Sequence, residues 1–188
     1  MMREAYYHED DFCQVELLPL DSLQHCLRQM GEQQVFADAH RSGAGWTDMH
    51  VREEAASKLC TLGITAEQLR LAVQDVLPPY DAVFTGYSSY RVECRNVLAF
   101  GGEDTETLFA GLDEHGIVAD LWCSDGMPEL LRLPLTEQLL LADWNAGLAC
   151  PLSDHALFAR YLQEGDGHDM ARLASVDKVA QPNAIACE

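Results

Sequence analysis

Two apolar runs separated by a short polar one are found in the stretch Thr107-Leu108-Phe109-Ala110-Gly111-Leu112-Asp113-Glu114-His115-Gly116-Ile117-Val118-Ala119-Asp120-Leu121-Trp122-Cys123. The runs 107–112 and 117–123 are rich in β-branched, aromatic and other apolar residues, as is typical of strands. Residues 113–116 between them are polar, and Gly116 can adopt the positive φ that tight turns require. We therefore predict a β-hairpin.

On either side of this hairpin, strand-like patterns recur at 12–18, 82–85, 97–100 and 139–144, with a shorter one at 46–51. Helical spacing predicts helices from about 21 to 39, from 66 to 76 and from 153 to 163. Thr65 and Gln68 have the spacing of a capping box at the start of the second helix. This order predicts an α+β fold with a mainly antiparallel sheet and helices packed on one face.

The length of 188 residues fits one compact unit. We predict a single α+β domain over 1–164. From 165 to 188 the chain is rich in small residues and includes Gly165, Gly167 and Pro182, which favours a loosely ordered C-terminal tail.

Charge is the strongest functional signal. The chain has 31 acidic and 12 basic residues, for a formal charge of −19. Between Asn96 and Ala159, here called the acidic stretch, eleven acidic residues accompany a single basic one, Arg132. Such an excess repels itself in the folded state, and its simplest use is attraction of a basic partner.

The same charge argues against nucleic acid and against anionic membrane surfaces, because both select basic proteins. The seven cysteines are widely spaced and include no C-x-x-C pair, which predicts reduced thiols rather than a disulfide framework or zinc module. Residues 1–11 contain no apolar segment of the signal-peptide kind. We therefore expect a cytoplasmic location.

Catalytic motifs such as G-x-S-x-G, H-E-x-x-H and the P-loop are absent from the sequence. We predict no enzyme activity and no cofactor. One alternative stays open, a small metal-dependent enzyme or metal-binding protein that would use His8, Asp10, His40 and His50. A second alternative is a homodimeric structural or interaction subunit.

Carboxylates of the acidic stretch and aromatic residues near it are the candidate partner-binding residues. The run 86–91 is predicted as a loop, where tyrosines present a large contact area at low entropic cost. Trp144 is predicted as a surface anchor at a turn. The full set is Glu103, Asp104, Glu106, Asp113, Glu114, Asp120, Tyr87, Tyr90, Arg91 and Trp144.

Small size, an α+β pattern, strong acidity and the absence of an export signal and of catalytic motifs together resemble bacterial toxin-immunity proteins. This resemblance is one of overall character. It implies an inhibitor that forms a tight stoichiometric complex with a basic toxin domain, usually a nuclease, and neutralises it by occupying its site.

Overall fold

The computed structural model describes residues 2–43, 45–55, 57–87, 90–102 and 105–164. The helices are α1 (Leu23–His40), α2 (Ala66–Val73) and α3 (His155–Glu164). The strands are β1 (Glu4–Tyr6), β2 (Val15–Pro19), β3 (Arg41–Ser42), β4 (Gly45–Trp46), β5 (Ala82–Tyr87), β6 (Tyr90–Glu93), β7 (Val97–Phe100), β8 (Leu108–Leu112), β9 (Val118–Cys123), β10 (Leu139–Asp143) and β11 (Leu148–Pro151). The predicted tail, 165–188, lies outside the described residues.

A six-stranded sheet in the order β11-β10-β2-β9-β8-β7 organises the molecule. Every neighbouring pair in it is antiparallel. The predicted hairpin is confirmed as β8 and β9, and Gly116 in its turn has a φ of 75°. The α+β class with a mainly antiparallel sheet is thus the fold of this protein.

Helices cover both faces of this sheet, which corrects the prediction of a single covered face. Leu139 and Leu141 face a core that includes Leu69 of α2 and Phe158 of α3. Leu140, next in sequence, faces α1 through a separate cluster. The unbroken apolar run of β10 explains this, because a strand buried on both faces needs apolar residues at consecutive positions.

A second, three-stranded sheet has the order β1-β5-β6. Strand β1 pairs parallel to β5, and β5 pairs antiparallel to β6. The run 86–91, predicted as a loop, instead belongs largely to these strands, with Gly86 opposite Arg91. Gly86 has a φ of 98°, and a Cβ there would collide with the backbone oxygen of Tyr90, so only glycine fits this hairpin.

Local chemistry sets the helix starts. Thr65 Oγ1 accepts a hydrogen bond from the Gln68 backbone N at 3.1 Å, and Gln68 Oε1 accepts one from the Thr65 N at 2.9 Å. The predicted capping box is therefore confirmed. Asp154 Oδ1 likewise accepts from the Leu157 N at 3.0 Å at the start of α3. Within the described ranges, no helix combines the length and apolar character needed to cross a membrane.

Candidate functional site

A cleft of about 320 Å³ opens on the face of the large sheet that α1 covers. Its floor includes Glu16 on β2 and Asp120 on β9, and its outer wall comes from residues 52–55 and 57–59. Glu16 lies opposite Trp122 of β9 and Ala142 of β10, so its side chain emerges between two apolar clusters. Charged groups are thus gathered where the two clusters leave a gap.

Glu16 is the most deeply set charged group of the cleft, with its side chain 18% exposed. Its Oε1 accepts a hydrogen bond of 2.7 Å from the indole Nε1 of Trp144. Burial raises the pKa of the Glu16 carboxyl, although the Trp144 hydrogen bond and the charge of Arg52 act against this rise. The carboxylate is therefore only partly compensated.

Arg52 closes one side of the cleft. Its guanidinium lies 4.5 Å from the centre of the Trp144 ring and 4.0 Å from Glu16 Oε1. Both terminal nitrogens donate long hydrogen bonds of 3.4 Å to the Cys13 carbonyl oxygen. The stacking geometry suits a cation–π contact, so one arginine connects the outer wall to the floor.

Asp120 and the pair Glu54–Lys58 line the opposite side. Partial removal of water raises the pKa of the Asp120 carboxyl, the nearby charge of Lys58 lowers it, and the charge of Glu54 raises it further. Lys58 Nζ already binds Glu54 Oε2 at 2.5 Å. With Glu16 and Glu53, the cleft lining holds four carboxylates against the cations Arg52 and Lys58, and Glu53 is also bound by Arg28 of α1 at 2.9 Å.

Cys13 forms part of the cleft wall in an unusual backbone conformation, with a φ of 53°. Burial raises the pKa of its thiol, and the neighbouring charge of Glu16 adds to the rise. A nucleophilic cysteine needs the opposite shift, toward the thiolate at neutral pH. The arrangement therefore suits cation binding better than thiol chemistry.

The predicted acidic residues occupy separate places. Glu106 lies at the start of β8 and accepts from Ser124 Oγ, whereas Asp113 and Glu114 lie at the hairpin turn beyond the other end of that strand. Asp113 Oδ1 accepts from the backbone N of His115 and of Ile117, both at 2.9 Å. Only Asp120 reaches the cleft, and Glu103 and Asp104 lie outside the described residues.

Trp144 does not have the exposed position that we predicted for a surface anchor. It is 5% exposed, packed in the cluster under α1 and bonded to Glu16. The polar residues next to Trp144 in the sequence indicated an exposed turn. The indole instead packs in the cluster under α1 and binds the carboxylate of Glu16 on β2. Trp144 therefore belongs to the cleft as a supporting residue.

The other predicted aromatic residue with a described side chain is exposed. Tyr90 has 72% of its surface accessible. Arg91 beside it donates to Glu4 Oε2 at 2.8 Å and lies over the Phe84 ring at 4.0 Å, so its charge is already compensated. Tyr87 ends β5, and its side chain lies outside the described part. Tyr90 and Arg91 belong to the small sheet and do not line the cleft.

The four residues of the metal hypothesis fall in two places. His8 Nδ1 lies 3.3 Å from Asp10 Oδ2 near the N-terminus. His40 stacks on Phe36 with 3.9 Å between ring centres, and His50 lies 5.3 Å from the same ring. Among the described residues, no three histidine, cysteine or acidic side chains are placed to share a metal ion.

Sequence reasoning missed Glu16, Arg52 and Lys58, which carry most of the chemistry of the cleft. The available signal was Glu16 itself, a carboxylate inside the apolar run 15–18. A charged residue in such a strand is rarely buried without a partner. Its partners, however, come from segments 36 and 128 residues further along the chain and share no sequence pattern with it.

No protein-family model matches the chain, and neither the curated proteins nor the solved structures include a significant match. The geometry of the cleft therefore carries the functional assignment. Its lining has more carboxylates than cations, one partly buried carboxylate, Glu16, and aromatic walls, which together suit the side chain of an arginine or lysine from another molecule.

Proposed function

We propose that this protein binds a basic protein partner and acts as an immunity-type inhibitor, with the cleft as the anchor for a basic side chain of that partner. The carrying observation is the pair of carboxylates on the cleft floor: Glu16, whose side chain is 18% exposed, and the exposed Asp120, which forms no ion pair with a lysine or arginine of the described residues. An added guanidinium or ammonium group would compensate Glu16 and Asp120 together. A stoichiometric complex of this kind needs no catalytic group, and we propose the cytoplasm as its location.

The surrounding charge supports a basic partner. Among the described residues after Asn96, no carboxylate forms an ion pair with a lysine or arginine. Within the described residues, the negative charge of the acidic stretch is therefore not cancelled by ion pairs with lysine or arginine. Such a field accelerates the approach of an oppositely charged protein, whereas desolvated contacts in the cleft slow its departure.

An exposed aromatic residue stands beside the cleft and extends the anchor. Phe12 is 41% exposed and contributes to the cleft wall, while its ring packs edge-on against Trp122 at 4.8 Å. Exposed aromatic rings fixed by packing supply contact area at little entropic cost. We therefore assign Phe12, in place of Trp144, as the aromatic contact for the partner.

Occupation of the cleft can be tested directly with a peptide that contains one arginine between neutral residues. The indole Nε1 resonance of Trp144 reports on the cleft, because this N–H is bonded to Glu16. Titration with the peptide should shift that resonance, and Trp144→Phe identifies it among the three tryptophans. A peptide with citrulline in place of arginine should leave it unmoved.

The partner itself can be sought by capture from the native host lysate, with washes at low and then high salt. Wild type should retain a basic protein, Asp120→Asn should retain less of it, and Glu137→Gln should behave as wild type. Both variants remove one negative charge, so the comparison separates the cleft from net charge. The activity of the captured protein should then fall to zero at a one-to-one ratio. Equal capture by both variants, or full activity at this ratio, would contradict the proposal.

A further inference from the structure

Helix α1 has an apolar outer face in addition to the face that packs on the sheet. Cys26 and Met30 point into the cluster under the helix. On the outside, a groove of about 720 Å³ is lined by side chains that include Leu27, Gly31 and Val35. Leu27 is 46% and Val35 71% exposed in this one groove, and contiguous exposed apolar side chains mark interaction surfaces.

The segment 23–58, which carries this groove, is nearly neutral. It contains four basic and five acidic residues, so it contributes one unit to the net charge of −19. Within it, Arg28 binds Glu32 and Glu53, each at 2.9 Å. Two copies of this chain would repel each other at most other surfaces, whereas they can approach through this one at little electrostatic cost.

We propose that the groove is the interface of a homodimer in which α1 packs antiparallel to α1 of a second copy, with the two-fold axis passing at Gly31. Leu27 and Val35 lie four residues on either side of Gly31. In a two-fold antiparallel pair, Leu27 of each copy therefore lies opposite Val35 of the other. The apolar residues of α1 therefore match those of a second α1 when the two-fold axis passes at Gly31.

Two details of the helix suit this arrangement. Nothing lies within 4 Å of the position that a Cβ of Gly31 would occupy, so a second backbone can approach closely there. Arg28 precedes Gly31 along the helix and Glu32 follows it. In the antiparallel pair, Arg28 of each copy therefore lies beside Glu32 of the other. An interface of this kind combines an apolar centre with a charged rim.

The dimer does not rest on the proposed cleft function, and the groove meets the cleft only at its rim, where Arg28 binds Glu53 of the cleft lining. His25, which lines the cleft, lies about 200° around the helix from Leu27, on the basis of 100° per residue. Dimerisation through the outer face therefore leaves the cleft open in both copies. One dimer would present two anchors.

Sedimentation of the full chain from micromolar to millimolar concentration tests the proposal. Wild type should reach twice the 20.9 kDa mass of the monomer. Val35→Glu should stay monomeric, because two carboxylates would enter the apolar centre, whereas Leu71→Glu on the exposed side of α2 should dimerise as wild type. A monomer at every concentration, or a dimer that tolerates Val35→Glu, would overturn the proposal. Loss of basic-partner capture in Val35→Glu, with wild type monomeric, would assign the groove to that partner.

Cross-linking tests the two-fold position. With Cys60 and Cys187 replaced by serine, mild oxidation of Gly31→Cys should give a covalent dimer, because the two thiols face each other at the axis. Gln24→Cys serves as the control, since its two copies would lie about 21 Å apart along the helices. Equal cross-linking of both variants, or none in either, would contradict an axis at Gly31.

Discussion

The indole Nε1 of Trp144 donates a 2.7 Å hydrogen bond to Glu16 Oε1 and thereby connects the end of β10 to the middle of β2. Arg52 lies over the same indole at 4.5 Å. Three segments distant in sequence therefore meet through one aromatic side chain. The tryptophan holds the carboxylate in place and brings the segment 52–59 against the sheet.

Loss of this hydrogen bond should destabilise the protein. Trp144→Phe keeps an aromatic ring for Arg52 but leaves the partly buried Glu16 without its strongest donor, at an expected cost of about 2 kcal/mol in the free energy of unfolding. Denaturant unfolding measures the change. Trp122→Phe is the matched control, because Trp122 Nε1 is buried without a hydrogen-bond partner among the described residues. A smaller loss for Trp144→Phe than for the control would contradict the role of the bond.

Stability should depend on the titration of Glu16. Its pKa is raised in the folded state, so the folded protein holds this proton more tightly than the unfolded chain does. The resulting stabilisation is present below the unfolded-state pKa and is lost as pH rises through the folded-state pKa. The free energy of unfolding of wild type should therefore fall across this window relative to that of Glu16→Gln.

Denaturant unfolding of both proteins from acidic to neutral pH measures this difference. Gln keeps an oxygen that can accept from Trp144, so the variant removes the titration while it retains the hydrogen bond. Glu137→Gln, at an exposed position, controls for the general effect of one lost charge. A constant difference between wild type and Glu16→Gln over the whole range would show that burial of Glu16 does not affect its titration.

Local sequence predicted the elements that stabilise themselves. The turn at Gly116 and the capping box at Thr65 depend on residues within four positions of each other, and both are present. Strands β1 and β6 were missed because they are short and are stabilised by pairing with β5. In the case of β1, this pairing partner lies about 78 residues further along the sequence. Their side chains alone carry too little periodicity to indicate a strand.

The candidate site was less predictable than the fold. The excess of carboxylates was visible in the sequence, but their positions were not. Asp143 shows why: it follows an apolar strand and resembles a turn residue, yet it is 6% exposed and accepts from the Tyr161 hydroxyl at 3.0 Å. The sequence alone does not distinguish an internal carboxylate such as Asp143 from one that faces a cleft, such as Asp120. The difference is visible only in the tertiary contacts.

The capping box of α2 can be measured on its own. Thr65→Ala removes the acceptor for the Gln68 backbone N and should lower the free energy of unfolding by about 1 kcal/mol. Thr65→Ser retains the hydroxyl oxygen and should recover most of this loss. Thermal or denaturant unfolding of the three proteins distinguishes the cap from the methyl group, and equal loss in both variants would assign the effect to packing.

Gly126 should be intolerant of any side chain. A Cβ at this position would overlap the ring of Tyr161, which is held by its hydrogen bond to Asp143. Gly126→Ala should therefore cost about 1–3 kcal/mol in the free energy of unfolding, through displacement of a buried aromatic residue. Gly45→Ala, where nothing lies within 4 Å of the added carbon, provides the comparison. A similar stability for both variants would show that α3 can shift to make room.

Lys58 should compete with the basic side chain of a partner, and its removal provides the sharpest test of the cleft. Lys58 Nζ binds Glu54, and its charge also acts on Asp120. Lys58→Gln would leave both carboxylates free for an incoming arginine. We expect it to bind the arginine peptide about two- to fivefold more tightly than wild type at low salt, in line with the modest strength of accessible ion pairs.

Lys58→Arg keeps the positive charge and should bind as wild type, whereas Asp120→Asn should bind more weakly. Fluorescence anisotropy of a labelled peptide measures all four proteins, and the differences should shrink as salt screens the charges. Weaker or unchanged binding by Lys58→Gln would mean that the arginine does not enter beside Asp120, because removal of a competing cation can only favour a cation that occupies the same place.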